Sequence, residues 1–271
     1  MAFIELENLR VLRPSGHVAL DEIGFSLEKG SFCAILAADG AGKSTLCRAL
    51  VGLVSPEKGS VRIDGHGWDS GDGRRELRKR IGFVFENFDD MFFSSYAMED
   101  LRFAALNFGL PPAEADEKAA AALAAVGMSG AASLSPQLLP VWDRLRLAVA
   151  GVLVHDPDII VIDDPFLRLN PLEKKAFCRL LKKLSGSGKT LIYTCSDAED
   201  AVVAERLLLM HEGRLLAEGE CRAVLSDIKL LEKAGLPAPF AVRVYHDLLT
   251  SGAVLERCPL NIDELVEEVC R

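Results

Sequence analysis

The sequence predicts an α/β fold, and three observations carry that expectation. Short apolar runs suited to buried strands alternate with amphipathic stretches. A glycine-rich turn, Asp39-Gly40-Ala41-Gly42-Lys43-Ser44-Thr45, joins one such run to a stretch of helical spacing. A second apolar run, Ile159 to Ile162, ends in the paired acids Asp163 and Asp164.

Taken in order, Ser31 to Leu36 is a short apolar strand, and Lys43 to Val54 has helical spacing. Ser60 to Asp64 and Ile81 to Phe85 read as further strands. Residues 97–153 turn Ala-rich, with Pro111-Pro112 opening a helix and few β-branched runs, the profile of a helical insertion. Strand character returns at Asp158 to Asp163. A helix from Pro171 to Leu184 stops at Ser185-Gly186-Ser187-Gly188. Thr190 to Cys195 is another buried strand, and Glu205 to His211 with Arg214 to Ala217 forms a hairpin around Glu212-Gly213. The tail from about Leu230 holds two short amphipathic stretches.

The 271 residues suffice for one large domain, or one with a short appendage. A net charge of −9 argues against a nucleic-acid partner. The dense basic stretch Arg74 to Arg80 is interrupted by Glu76 and reads as a solvated helix face. Seven cysteines without C-x-x-C spacing read as reduced thiols. No apolar run approaches the ~20 residues of a membrane span, and no signal segment is visible, so a membrane connection is expected through partners.

The glycine-rich turn between strand and helix is the context a phosphate loop needs. Inward-pointing N–H groups and the helix N-terminus hold polyphosphate, Lys43 reaches the β- and γ-phosphates, and the Ser44 hydroxyl ligates Mg²⁺. The nucleotide-binding set is Ala37, Ala38, Asp39, Gly40, Ala41, Gly42, Lys43, Ser44 and Thr45. Ala37 stands where the full pattern has glycine, which implies either a backbone angle alanine tolerates or an altered loop. Asp163, at the end of a neighbouring strand, supplies the carboxylate for Mg²⁺. His155, His211 and His246 lack metal-ligand spacing, so surface or packing roles are expected, as is a packing role for Cys195.

With these motifs and the helical insertion between them, the chain resembles the ABC ATPases along its whole length, and more narrowly the cobalt-type and energy-coupling-factor importer ATPases. The narrower resemblance rests on Val84-Phe85-Glu86-Asn87-Phe88-Asp89-Asp90-Met91-Phe92, on Leu230 to Leu236, on Pro239-Phe240 and on Asn261 to Val266. It implies a P-loop NTPase core, an antiparallel β subdomain in the first eighty residues and a helical subdomain at about 92–150. It also implies a cassette over 1–228 with a short C-terminal appendage over 229–271.

The resemblance implies ATP and Mg²⁺ as cofactors and, at the family's working positions, the following residues. Arg13 replaces the aromatic that stacks on adenine; its guanidinium plane stacks on a base or simply faces solvent. Glu86 replaces the Q-loop glutamine and remains able to ligate Mg²⁺ with Ser44 and Asp163. The catalytic positions hold Asp164 for glutamate and Ser196 for the switch histidine. Mispositioning of about 1 Å, the scale of one lost methylene, costs roughly 10²-fold in rate. Leu139-Pro140-Val141-Trp142-Asp143 replaces the signature, with proline removing a donor, bulk added at Val141 and Trp142, and like charge at Asp143. Asn170 replaces the D-loop aspartate.

The function implied is an ATP-binding subunit of a cobalt, nickel or vitamin importer with impaired hydrolysis. Its partners would be integral membrane subunits and either a second copy or a paralogous ATPase, at the inner face of the membrane. Phe92, Phe93 and Tyr96 lie where such a partner would dock or else pack in the core. A slow but genuine ATP hydrolase using Asp164, and an ATP sensor or scaffold outside transport, are the alternative readings.

Overall fold

The computed structural model describes residues 2–68 and 71–270, and their strands sort into two sheets. β1 (Ile4–Leu12), β2 (Val18–Leu27), β4 (Lys58–Ile63) and β5 (His66–Gly67) form an antiparallel sheet in the order β2-β1-β4-β5. β3 (Phe32–Leu36), β6 (Ile81–Val84), β7 (Ile159–Ile162), β8 (Thr190–Cys195) and β9 (Arg206–His211) are parallel, in the order β9-β3-β8-β7-β6. β10 (Arg214–Glu220) closes that sheet antiparallel to β9, through the hairpin at Glu212-Gly213.

The central strands β3 and β7 are unbroken apolar runs because both their faces are covered. In β3, Phe32, Ala34 and Leu36 join one hydrophobic cluster while Cys33 and Ile35 join the other. The second cluster also takes in β1, β2 and the apolar face of α1 (Lys43–Leu50), so it fills the space between the two sheets.

α1 ends four residues before the expected Val54, for a tertiary reason. Val51 leaves helical geometry and Gly52 takes φ 72°, where any Cβ would meet the Trp68 ring at 2.5 Å. α2 (Gly71–Arg80) carries the basic stretch, but Arg80 is not merely solvated. It pairs with Asp158 at 2.7 Å and Asp64 at 3.0 Å, above the Phe3 ring.

The Ala-rich insertion forms α3 (Ala97–Asn107), α4 (Pro112–Ala125) and α5 (Val141–Leu153). Ala105, Ala115, Ala119 and Ala122 are buried, and their small side chains let the three helices pack closely. α6 (Pro171–Ser185) covers the sheet beside them, with Phe177, Leu181 and Leu184 inward. α7 (Ala198–Ala201) and α8 (Cys221–Leu225) follow β8 and β10. The tail holds three helices rather than two: α9 (Ile228–Lys233), α10 (Phe240–Thr250) and α11 (Ile262–Val269). Leu231, Ala234, Val242 and Leu260 bury into the same cluster as the sheet. Arg222 on α8 grips Glu264 on α11 through two contacts of 2.8 and 3.0 Å.

Candidate functional site

The turn between β3 and α1 depends on glycine at one place above all. Gly42 sits at φ 102°, and an added Cβ would stand 2.7 Å from the Ala19 carbonyl. Ala37 needs no such freedom: it lies outside the left-handed region and is fully buried in the inter-sheet cluster. Its N–H donates to Cys195 O at 3.2 Å, so alanine fits an unaltered strand end. Leu46 makes the first helical hydrogen bond, to Gly42 O at 2.9 Å, and the N–H groups of Lys43, Ser44 and Thr45 precede it.

Lys43 is buried, and its ammonium is encircled. It donates to Ala37 O at 2.9 Å and Ser196 Oγ at 2.7 Å, with Ala38 O and Asp39 Oδ1 both at 3.4 Å. Asp164 Oδ2 stands 3.8 Å away. Ser44 Oγ lies 3.1 Å from Asp163 Oδ1, which also accepts from Thr194 Oγ1 at 2.9 Å. Thr194 in turn accepts from the Asp164 N–H at 2.7 Å. One strand-end threonine therefore fixes both acids, and nothing in its own sequence context marks it; a β-branched residue in a strand is ordinary.

Asp164 adopts φ 43°, a strained angle for a residue with a side chain, as the chain turns away from β7. Burial pushes its carboxyl above the usual range, opposed mainly by Lys43. Asp39, on the solvent side, is held below that range by its hydrogen bond from Ser196 and then by Lys43. Glu86 is exposed just beyond β6, and its charge is among those raising Asp164. Arg13 lies in a recess that it shares with Gly40, His17 and Asp21. His17, an imidazole at the same recess, was not singled out by the sequence pattern.

The segment Leu139 to Asp143 is closed by its own side chains. Pro140 precedes α5 with no side-chain cap, and Trp142 packs edge-on to Phe177 of α6 with the Arg146 guanidinium 5.1 Å from its ring. Arg146 pairs with Asp143. Arg144 reaches the Leu139 carbonyl at 2.6 Å and Asp89 at 2.7 Å, and Arg168 also holds Asp89, at 2.8 Å. Asn170 caps α6 in a reciprocal capping box with Glu173. Cys195 is buried and His155 stacks on Phe108 at 3.7 Å, packing roles as expected. Among the described residues no His, Cys, Asp and Glu cluster suits a metal ion by itself, and no helix is long and apolar enough to cross a membrane.

Comparison with known proteins agrees with this geometry. Residues 20–167 match the family described as ABC transporter. The chain is 35% identical over 268 residues to the energy-coupling factor transporter ATP-binding protein EcfA of Methanothermobacter thermautotrophicus, covering 98% of this chain and 86% of that one. It is 36% identical over 255 residues to EcfA1 of Symbiobacterium thermophilum, covering 94% and 89%. Among solved structures, cbiO1 from Clostridium perfringens, described as part of the ABC transporter complex cbiONQ, superimposes with a TM-score of 0.78 at 27% identity over 93% of this chain and 99% of that one. An ATP-binding cassette in a dimeric post-hydrolysis state bound to ADP and Pi gives 0.73 at 26% identity, over 81% and 99%. The chain belongs to the ABC transporter ATP-binding family, in its energy-coupling-factor branch.

Proposed function

We propose that this chain binds Mg-ATP through residues 37–45 and hydrolyses it poorly, as the nucleotide-binding subunit of a cobalt, nickel or vitamin importer. The observation that carries the reading is the contrast within one site. The Lys43, Ser44 and Asp163 set stands intact, with Ser44 Oγ and Asp163 Oδ1 3.1 Å apart, whereas Asp164 and Ser196 stand where the chemistry would be completed. One hydroxyl and one carboxylate fit Mg²⁺, which takes few protein ligands and completes its shell with phosphate and water. Glu86, whose charge is felt at Asp164, would be the candidate for a third oxygen. Bound there, Mg²⁺ would neutralise phosphate charge. Ser196 cannot reach as far as histidine, and Asp164 is retracted against Lys43.

Docking to a membrane subunit is supported by an apolar groove of about 460 Å³ between the sheet and the helical insertion, lined by Phe83, Phe85, Phe92, Phe93 and Phe103 among others. Phe93 remains 61% exposed, too much apolar surface for a face meant for water. At the groove, buried Asp100 spends Oδ1 on the N–H groups of Phe93 and Ser94, at 3.2 and 3.0 Å, while its Oδ2 has no hydrogen-bond partner. A donor from an incoming helix would satisfy it. On this reading the chain sits at the cytoplasmic face of the membrane, as a homodimer or paired with a paralogous ATPase, with 1–228 as the cassette and 229–271 as its appendage.

A second reading, slow but genuine hydrolysis, is favoured by one observation: the Asp164 carboxyl is raised by burial at the phosphate end, as befits a base. Calorimetry with Mg-ATP beside a phosphate-release assay separates the two. Tight binding without turnover, lost in Lys43→Ala, is the expected result. Turnover lost in the same variant would favour the hydrolase, and absence of binding would overturn both.

A further inference from the structure

The two ends of the phosphate site carry opposite charge. At the α1 end, the N–H groups of Lys43, Ser44 and Thr45 precede the first helical hydrogen bond and offer a diphosphate only donors. At the other end, two carboxylates, Asp39 and Asp164, already share the one ammonium there, at 3.4 and 3.8 Å. The Ser196 hydroxyl ties them together. Its oxygen accepts from Lys43 at 2.7 Å, and its single hydrogen faces Asp39 at 2.7 Å in preference to Asp164 at 3.2 Å. Lys43, Ser196 and Asp39 thus form a closed chain across the mouth of the loop.

A terminal phosphate must break this chain to reach Lys43, since that lysine serves the β- and γ-phosphates. It then stands beside Asp39, which the Ser196 hydrogen bond keeps ionised. A diphosphate also draws on Lys43 through its β-phosphate, but it brings no further anionic group past the lysine toward Asp39. Asp39 is the added element, because serine at 196 and aspartate at 164 only remove contacts whereas its carboxylate repels.

We propose that Asp39, latched to Lys43 through Ser196, cancels the preference for a third phosphate, so that this site takes a nucleoside diphosphate at least as tightly as the triphosphate. The proposal rests on residues 37–45 being a nucleotide site. Occupancy would then follow total nucleotide, and the cassette would hold its bound form through a fall in ATP.

The test is calorimetric titration of the whole chain with Mg-ADP and with Mg-ATP, in wild type, Asp39→Asn and Ser196→Ala. The Asp39 side chain is 86% exposed, so its amide substitution leaves the core untouched. Wild type should bind ADP no more weakly than ATP. Asp39→Asn should strengthen ATP about tenfold, the scale of one partly screened charge contact, and move ADP by less than about twofold. Ser196→Ala, which frees Asp39 to swing into water, should shift ATP in the same direction. A wild type that prefers ATP about tenfold, or equal shifts for both nucleotides in Asp39→Asn, would overturn the selectivity while leaving the nucleotide site standing. Binding of neither nucleotide to any of the three proteins would overturn both.

Discussion

The start of α1 and the start of α5 are both helix N-termini, and their surroundings are opposite. At α1 the backbone donors are left open, with a glycine at φ 102° and a lysine curled back over them. At α5 the same kind of terminus is shut. Proline replaces a donor, Asp143 brings a negative charge, and Trp142 with Arg144 and Arg146 fills the approach. An anion site needs open N–H groups and close backbone approach. The difference teaches that the two termini are independent of one another: the donors of one are open to an anion while the other is covered by packed side chains.

The comparison breaks first at Lys43. Lys43→Ala should weaken Mg-nucleotide binding by about 100-fold or more by calorimetry, since it removes the single cation at the phosphate end, where charged hydrogen bonds are each worth roughly 2 kcal/mol or more. No comparable loss should follow Trp142→Ala. That change should instead lower stability by roughly 2–3 kcal/mol in denaturant unfolding, because the ring is partly buried against Phe177, and leave nucleotide affinity within about twofold. If binding fell with it, α5 would not be the passive end.

The far end of α5 adds a pH test. Burial drops His155, stacked on Phe108, to about 4, against an ordinary value of 6.5. The unfolded chain therefore binds the extra proton between those values, so this contribution to stability is present above pH 6.5 and is lost as pH falls through about 4. His155→Phe should remove on the order of 2 kcal/mol of the stability otherwise lost between pH 6.5 and about 4, read as the difference between the two proteins' melting curves across that window. Comparing them cancels Asp200, which burial raises to about 6 and which acts oppositely: its contribution is full below the unfolded carboxylate range and is lost as pH rises through about 6. The smallest effect is expected at Asn170. Asn170→Ala should cost about 1 kcal/mol by removing the α6 cap, with nucleotide affinity unchanged.

Much of this was legible in the amino-acid order, because it is local. The buried strands, the hairpin at Glu212-Gly213, the proline start of α4 and the glycine-rich turn follow from period, propensity and turn chemistry over windows of a few residues. So does the placement of Lys43 and Ser44 at the turn before α1 and of Asp163 at a strand end, which strand–turn–helix context predicts. What the tertiary structure alone decided depends on residues far apart in the chain. Trp68 ends α1 early, and Asp64 with Asp158 captures Arg80 from an otherwise solvated face. Thr194 locks the two acids of β7, and Ser196, 157 residues from Asp39, closes the latch over Lys43. Such contacts leave no period in a sequence window: the Thr194 and Ser196 contacts are made by the pairing of β8 with β3 and β7, and the others by segments that only the packed fold brings together.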